Sequence, residues 1–235
     1  KALEKIGVEV QVIRHGKFKG AVEPFILEEL SEENRAQIKD YVSSIWDHSV
    51  NKIAESRGMT GEELNLLADN LAGNVAEGAL KSRLVDGLLY RNELIDTLKI
   101  LSGLTTDDKI TFVSMSKYSK VPDPNKVISA KNRISLIYAS GSIVMGKGTE
   151  YNIGGNNYAE IIRKERLDTS VKAIVLRVNS PGGNAIASDI IWKELDLAAK
   201  VKPVVISMGN YAASGGYYIS APGTKIYADP TTISG

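Results

Sequence analysis

Pro203-Val204-Val205-Ile206-Ser207-Met208-Gly209-Asn210-Tyr211-Ala212-Ala213-Ser214-Gly215-Gly216-Tyr217-Tyr218 opens on an apolar run that reads as a buried strand of a parallel sheet. Gly209 and Asn210 mark a turn, and a helix is expected to open around Tyr211 and Ala212. Ser214 then falls in the first turn of that helix, ringed by Ala212, Ala213, Gly215 and Gly216. Small neighbours admit close backbone approach, and a helix start offers free N–H groups at a positive dipole end. These surroundings suit a nucleophilic serine. They equally suit a plain close contact between helix and sheet.

A second glycine turn, Asn179-Ser180-Pro181-Gly182-Gly183-Asn184, joins a buried strand (Val171 to Val178) to a helix from about Ala185 to Lys200. It lies one strand–helix–strand step before the Ser214 turn, so both should emerge at the same sheet edge. Paired glycines there can present N–H groups to a developing oxyanion. A phosphate cradle or a simple tight turn would use the same residues. Around these turns, strands alternate with helices: Ile134 to Tyr138, a helix near Tyr158 to Glu165, and a short strand from Lys225 to Ala228. That alternation predicts a mostly parallel sheet with right-handed crossovers. Gly146, Gly148, Gly154 and Gly155 suggest a long, mobile loop after the first strand.

The preceding half is patterned differently. Val8 to Ile13 alternates as a strand, and a charged loop from Arg14 to Phe25 follows. Ser31 is an expected N-cap for a long helix to about Arg57, with Ile38, Val42, Ile45, Trp46 and Ile53 at helical spacing. Thr60 with Glu63 makes a capping box for a short helix through Leu71. Helices are expected again over 75–84 and 91–101, and a strand over Ile110 to Met115. Val121-Pro122-Asp123-Pro124-Asn125-Lys126 reads as a linker.

A net charge of +1 and a pI near 8.0 give no electrostatic case for nucleic acid or an anionic membrane surface. The absence of Cys excludes disulfides, thiolate metal sites and a cysteine nucleophile. No apolar run reaches transmembrane length. The start at Lys1 and the end at Ser234-Gly235 directly after a turn read as a piece of a longer chain.

A serine nucleophile needs a base within hydrogen-bond reach. The two histidines are His15, at a strand end, and His48, inside the long helix. A lysine serves instead where burial leaves its amine neutral. Lys17 and Lys19 flank Phe18, and Gly20-Ala21-Val22 would allow apolar packing around one of them; a solvated surface charge is the plainer reading.

Phe18-Lys19-Gly20-Ala21-Val22-Glu23-Pro24-Phe25, Val171 to Gly183 and Ala212-Ala213-Ser214-Gly215-Gly216-Tyr217 together resemble, in order, three motifs of the signal peptide peptidase A (protease IV) family in its long, two-repeat bacterial form. The resemblance implies an α/β fold of the crotonase-like, Clp-protease-like ββα superhelix, here as partial repeats. Residues 1–121 would be the C-terminal part of the first repeat, 122–132 a linker, and 133–235 the N-terminal part of the second. It implies Ser214 as nucleophile, Lys19 as general base, and Gly182, Gly183 and Gly215 as oxyanion donors, with no cofactor or metal. Implied substrates are apolar peptides such as cleaved signal peptides. The implied setting is the cytoplasmic membrane, facing outward through an anchor this chain lacks, in a homo-oligomer that is tetrameric in the family. Gly20 departs from the small hydroxyl residue common in relatives, and a serine that helps orient the lysine would fall just beyond Gly235. Two other classes remain compatible with the residues: a crotonase-type acyl-CoA enzyme and a non-catalytic assembly module.

Overall fold

The helical patterning of the first half becomes helices in the computed structural model, which describes residues 4–9, 11–122 and 130–235. Two compact units emerge, 1–49 with 133–235, and 50–132. Most of the expected linker, 123–129, lies outside the described residues.

Helix α1 (Glu23–Ile26) is a single turn with Pro24 at its start, where a missing N–H is harmless. Helix α2 (Glu32–Arg57) follows, and the boundary between units falls inside it. Ser31 caps α2 as expected, its hydroxyl accepting from the Asn34 N–H at 3.2 Å. Glu23 is only 1% exposed. Its carboxylate accepts from the Ser31 hydroxyl at 2.6 Å, the Ser31 N–H at 3.1 Å and the Asn34 side-chain amide at 3.0 Å. Arg14 adds its charge at 3.6 Å. A buried carboxylate is tolerated when its lone pairs are filled in this way.

The expected strand over Val8 to Ile13 is not formed: residues 8, 9 and 11–13 belong to no strand, and Val10 lies outside the described residues. Alternation alone cannot make a strand. Its backbone groups need a neighbouring edge, and Ile13 is 97% exposed.

In the unit 50–132, α3 (Gly61–Asp69) carries the expected capping box in full. Thr60 Oγ1 accepts from Glu63 N–H at 3.1 Å, and Glu63 accepts from Thr60 N–H at 2.7 Å. Helices α4 (Ala76–Lys81), α5 (Arg91–Leu101) and α6 (Met115–Tyr118) follow. The strand expected over Ile110 to Met115 is absent, because nothing pairs with it; Phe112 and Val113 are exposed and Met115 begins α6.

From Arg133 the alternating pattern holds. The strands are β1 (Arg133–Ser140), β2 (Ile143–Val144), β3 (Ile153–Gly154), β4 (Val171–Ser180), β5 (Val204–Ala212), β6 (Lys225–Tyr227) and β7 (Ile233–Ser234). The helices are α7 (Gly155–Leu167), α8 (Ala185–Ala199) and α9 (Gly215–Ser220). The main sheet is parallel throughout, in the order β1-β4-β5-β6, with β7 also pairing β5. This is the α/β class expected. The glycine-rich stretch after β1 contains a two-stranded parallel pair, β2–β3, with Gly146 and Gly148 in the loop between its strands. Gly154 and Gly155 are buried there, and a Cβ on Gly155 would come within 2.8 Å of Ala187.

One face of the sheet forms the core: Ile174, Leu176 and Val178 of β4 and Ile206 of β5 pack with Ile191 and Leu195 of α8. Buried Glu194 takes Arg163 at 2.6 Å and Arg166 at 3.3 Å, which ties α7 to α8. Lys202 donates to the carbonyls of Glu165 and Asp168 at the end of α7 and of Val171 at the start of β4, at 2.8–2.9 Å. Ile134, Leu136 and Tyr138 of β1 point to the other face and are 52–69% exposed.

Two outcomes are expected from this packing. Leu176→Ala empties a site with no exposed surface and should lower unfolding stability by roughly 2–5 kcal/mol in denaturant titration. The Ser31 hydroxyl, then burial in opposition, then the Ser31 N–H, Asn34 and Arg14 leave the Glu23 carboxyl below its ordinary value. The stabilisation it gives is therefore full above the unfolded-state value of about 4.3 and lost as pH falls through the lower folded one. Hydrogen exchange at Ser31 and Asn34, corrected for intrinsic rates, should stay slow at mildly acidic pH and accelerate only in stronger acid.

Candidate active site

Adjacent parallel strands deliver two turns to one place. At the end of β4 the chain runs Ser180-Pro181-Gly182-Gly183-Asn184 into α8; at the end of β5 it runs Ala212-Ala213-Ser214 into α9. Ser180 pairs with Ala212 in the sheet, and the Ala213 N–H donates to Ser180 O at 3.1 Å. The turn after β5 lies later than the sequence suggests. Gly209 and Asn210 stay within the strand, and Gly209 instead makes room for Asn179, whose Oδ1 would lie 2.9 Å from an added Cβ. Ser214 is accordingly the residue that caps α9 rather than one inside its first turn.

The two turns touch through backbone. Gly182 has φ +100°, and a Cβ there would meet Gly215 N at 2.6 Å and Ser214 Cβ at 2.8 Å. A Cβ on Gly216 would meet Ser180 O at 2.6 Å. Strand β2 grips the first turn from the other side: Ile143 N–H donates to Gly182 O at 2.9 Å, and Asn184 N–H donates to Ile143 O at 2.8 Å. Fully buried Ser180 accepts from the Gly182 N–H at 3.1 Å and donates to Gly141 O at 2.7 Å. Sequence reasoning gave Ser180 no role; a polar residue before Pro-Gly-Gly at the end of an apolar strand was the available signal.

Ser214 adopts φ 50°, ψ −120°, a conformation that L-residues with a side chain rarely hold. Such strain persists only where surroundings enforce it, as at strand-to-helix nucleophile turns. Its N–H donates to Gly235 O at 2.6 Å, while its hydroxyl is exposed and makes no hydrogen bond among the described residues. The N–H groups of Gly183 and Gly215 likewise have no acceptor among the described residues, and a Cβ on Gly215 would lie 3.3 Å from Gly183 N. Gly182 differs, since Ser180 occupies its N–H. One free hydroxyl near two unbonded N–H groups has the components needed to attack a carbonyl and hold the resulting oxyanion. Beyond Ser214, Tyr218 donates to Asp189 at 2.8 Å and stacks on Trp192 at 6.0 Å; the Asp189 hydrogen bond, more than burial, raises the Tyr218 pKa.

Lys19 sits in the exposed turn before α1 and shares no hydrogen bond with Ser214. His15 is exposed and His48 is half-buried within α2. Among the described residues no cluster of side chains could hold a metal ion. No helix among them is long and apolar enough to cross a membrane. A separate cleft of about 440 Å³, lined by Arg177, Ser207, Asn210, Tyr227 and Asp229 among others, does not include Ser214.

The chain is similar to Protease 4 of Haemophilus influenzae, at 37% identity over 99% of this chain and 39% of the relative. It is 38% identical to Protease 4 of Salmonella typhi, over 99% of this chain and 38% of that protein. It is 33% identical to the chloroplastic serine protease SPPA of Arabidopsis thaliana, over 99% and 35%. The chain thus spans 35–39% of the length of these relatives. Among solved structures, a ClpP1 variant from Listeria monocytogenes gives a TM-score of 0.31 at 18% identity, covering 37% of this chain and 46% of that one. A variant of the 1510-N membrane-bound stomatin-specific protease with a substrate peptide gives 0.33 at 24%, covering 42% of each chain. Peptidase family S49 matches residues 1–105 and 196–235, and these two segments contain Lys19 and Ser214. With well over half of its residues matched in two separate blocks, the chain belongs to peptidase family S49.

Proposed function

We propose that this chain forms part of a serine endopeptidase in which Ser214 is the nucleophile and Lys19 the general base. The observation that carries the reading is the strained, unbonded Ser214 beside the free N–H groups of Gly183 and Gly215. Neutral Lys19 takes the hydroxyl proton as Ser214 Oγ attacks a peptide carbonyl carbon. The carbonyl oxygen becomes an oxyanion held by Gly183 and Gly215, with Gly182 shaping the turn rather than donating. Collapse breaks the C–N bond, and Lys19 gives its proton to the leaving amine. Water, deprotonated by Lys19, then attacks the acyl ester and frees Ser214.

The substrates we assign are apolar peptides such as cleaved signal peptides, at the outward side of the cytoplasmic membrane, on the strength of the likeness to signal peptide peptidase A. No metal or cofactor takes part in the scheme. Residues 1–121 belong in this reading to the rear of one repeat and 133–235 to the front of a second, joined over 122–132. Lys19 and Ser214 are both exposed and unjoined here, so their meeting falls to the assembled protein.

In the full-length protein, Lys19→Ala and Ser214→Ala should each lower peptide cleavage by at least about a thousandfold, while His15→Ala keeps most of it. A serine-directed phosphonate should label Ser214, which an acyl-CoA enzyme of related fold would not require. Active Lys19→Ala with inactive His15→Ala would overturn the dyad. Assembly gives a second check. The apolar face of β1 at Ile134, Leu136 and Tyr138 invites association, so this chain alone should sediment as an oligomer or bind other polypeptide. A compact, cooperatively unfolding monomer would contradict this.

A further inference from the structure

The turn that carries Lys19 is held by a group that the catalytic scheme does not use. Glu23 lies four residues after Lys19 and is the one buried carboxylate among the described residues of 1–49. Its oxygens gather the Ser31 hydroxyl, the Ser31 N–H and the Asn34 amide. The same Asn34 amide presses on Gly20, the residue directly after Lys19: a Cβ on Gly20 would meet Asn34 Nδ2 at 2.5 Å. The Glu23 N–H donates to Gly20 O at 3.0 Å, which closes the turn from the backbone side. Lys19 is therefore followed by a backbone position that is tied to Glu23 by its carbonyl and lies against Asn34 at the start of α2, with the Glu23 carboxylate joining the two. The other charged groups of this segment are Arg14, which faces Glu23 at 3.6 Å, and Lys17, which faces Glu33 at 3.9 Å.

We propose that Glu23 is a positioning residue for Lys19: its buried carboxylate clamps the Gly20 turn to Ser31 and Asn34 and so aims the lysine amine. The proposal rests on the reading of Lys19 as general base. A long, flexible side chain reaches a hydroxyl productively only if its backbone origin is fixed. The three donors converging on Glu23 require an acceptor on both oxygens. A glutamine would turn its own N–H₂ toward one set of donors, and an alanine would leave all three unpaired.

The test uses the full-length protein with Glu23→Gln, Ser31→Ala, Ser31→Thr and Lys19→Ala. It measures phosphonate acylation of Ser214, together with kcat and KM for an apolar peptide. Glu23→Gln and Ser31→Ala should slow acylation roughly ten- to hundredfold, as expected for a displaced catalytic group. KM should stay within about twofold, since substrate contacts are untouched. Ser31→Thr keeps the hydroxyl and should restore most of the rate. Wild-type acylation in both Glu23→Gln and Ser31→Ala, with Lys19→Ala inactive, would overturn the clamp while leaving the base assignment intact. A rate loss with a matching change in KM and no recovery in Ser31→Thr would overturn it too, by marking a general folding role. Full activity of Lys19→Ala would instead remove the base on which the proposal rests.

Discussion

Backbone-to-backbone contact between the Pro-Gly-Gly turn and the Ser214 turn is the constraint on which the site depends. Where Gly182 meets Gly215 N and Ser214 Cβ, there is no room for a side chain of any size. The approach is set by the parallel pairing of β4 with β5, which brings Ser180 level with Ala212. Ser180 then spends its hydroxyl on Gly182 N–H and Gly141 O, so a fully buried polar side chain is satisfied by the turn it supports. Two consequences follow. Ser214 holds a strained conformation, and the N–H groups of Gly183 and Gly215 have no acceptor among the described residues. Free donors of this kind are costly unless they face solvent or a ligand, so their survival side by side has chemical meaning.

Much of this was legible in the chain itself. The apolar runs at Ile134, Val171 and Val204, each followed by a helical stretch, gave the parallel sheet, and the glycines gave the two turns. The position of the second turn was misplaced because Gly209-Asn210 looks like a break. In the fold Gly209 is a strand residue, small because Asn179 crosses it. A glycine demanded by a neighbour and a glycine demanded by φ look the same in one dimension. Gly182, at φ +100°, answers to both demands at once.

The failures have one physical cause. Val8 to Ile13 and Ile110 to Met115 have strand-like composition, yet neither has a neighbouring edge, and a strand cannot satisfy its own backbone. Helices can, which is why the Thr60–Glu63 capping box was readable to the residue. Glu23 was hidden for the opposite reason. Its donors lie eight and eleven residues away, beyond any local periodicity, and a glutamate before Pro-Phe in a charged loop reads as solvated.

An oxyanion held by two N–H groups gains most when water is kept away, because the effective dielectric falls and the donors need not reorganise. Ser214 and Lys19 both stand open to solvent, and so do Ile134, Leu136 and Tyr138 on the uncovered side of β1. An apolar sheet face in water and, in the proposed mechanism, a nucleophile in water would both be answered by additional polypeptide packed against this unit. The rigid parts, meaning the glycine contact and the Glu23 clamp, are complete within the chain. What remains open is whatever must be dried. A fold can thus preform the geometry of the donors and of the lysine turn, and leave the reactivity of both to depend on assembly.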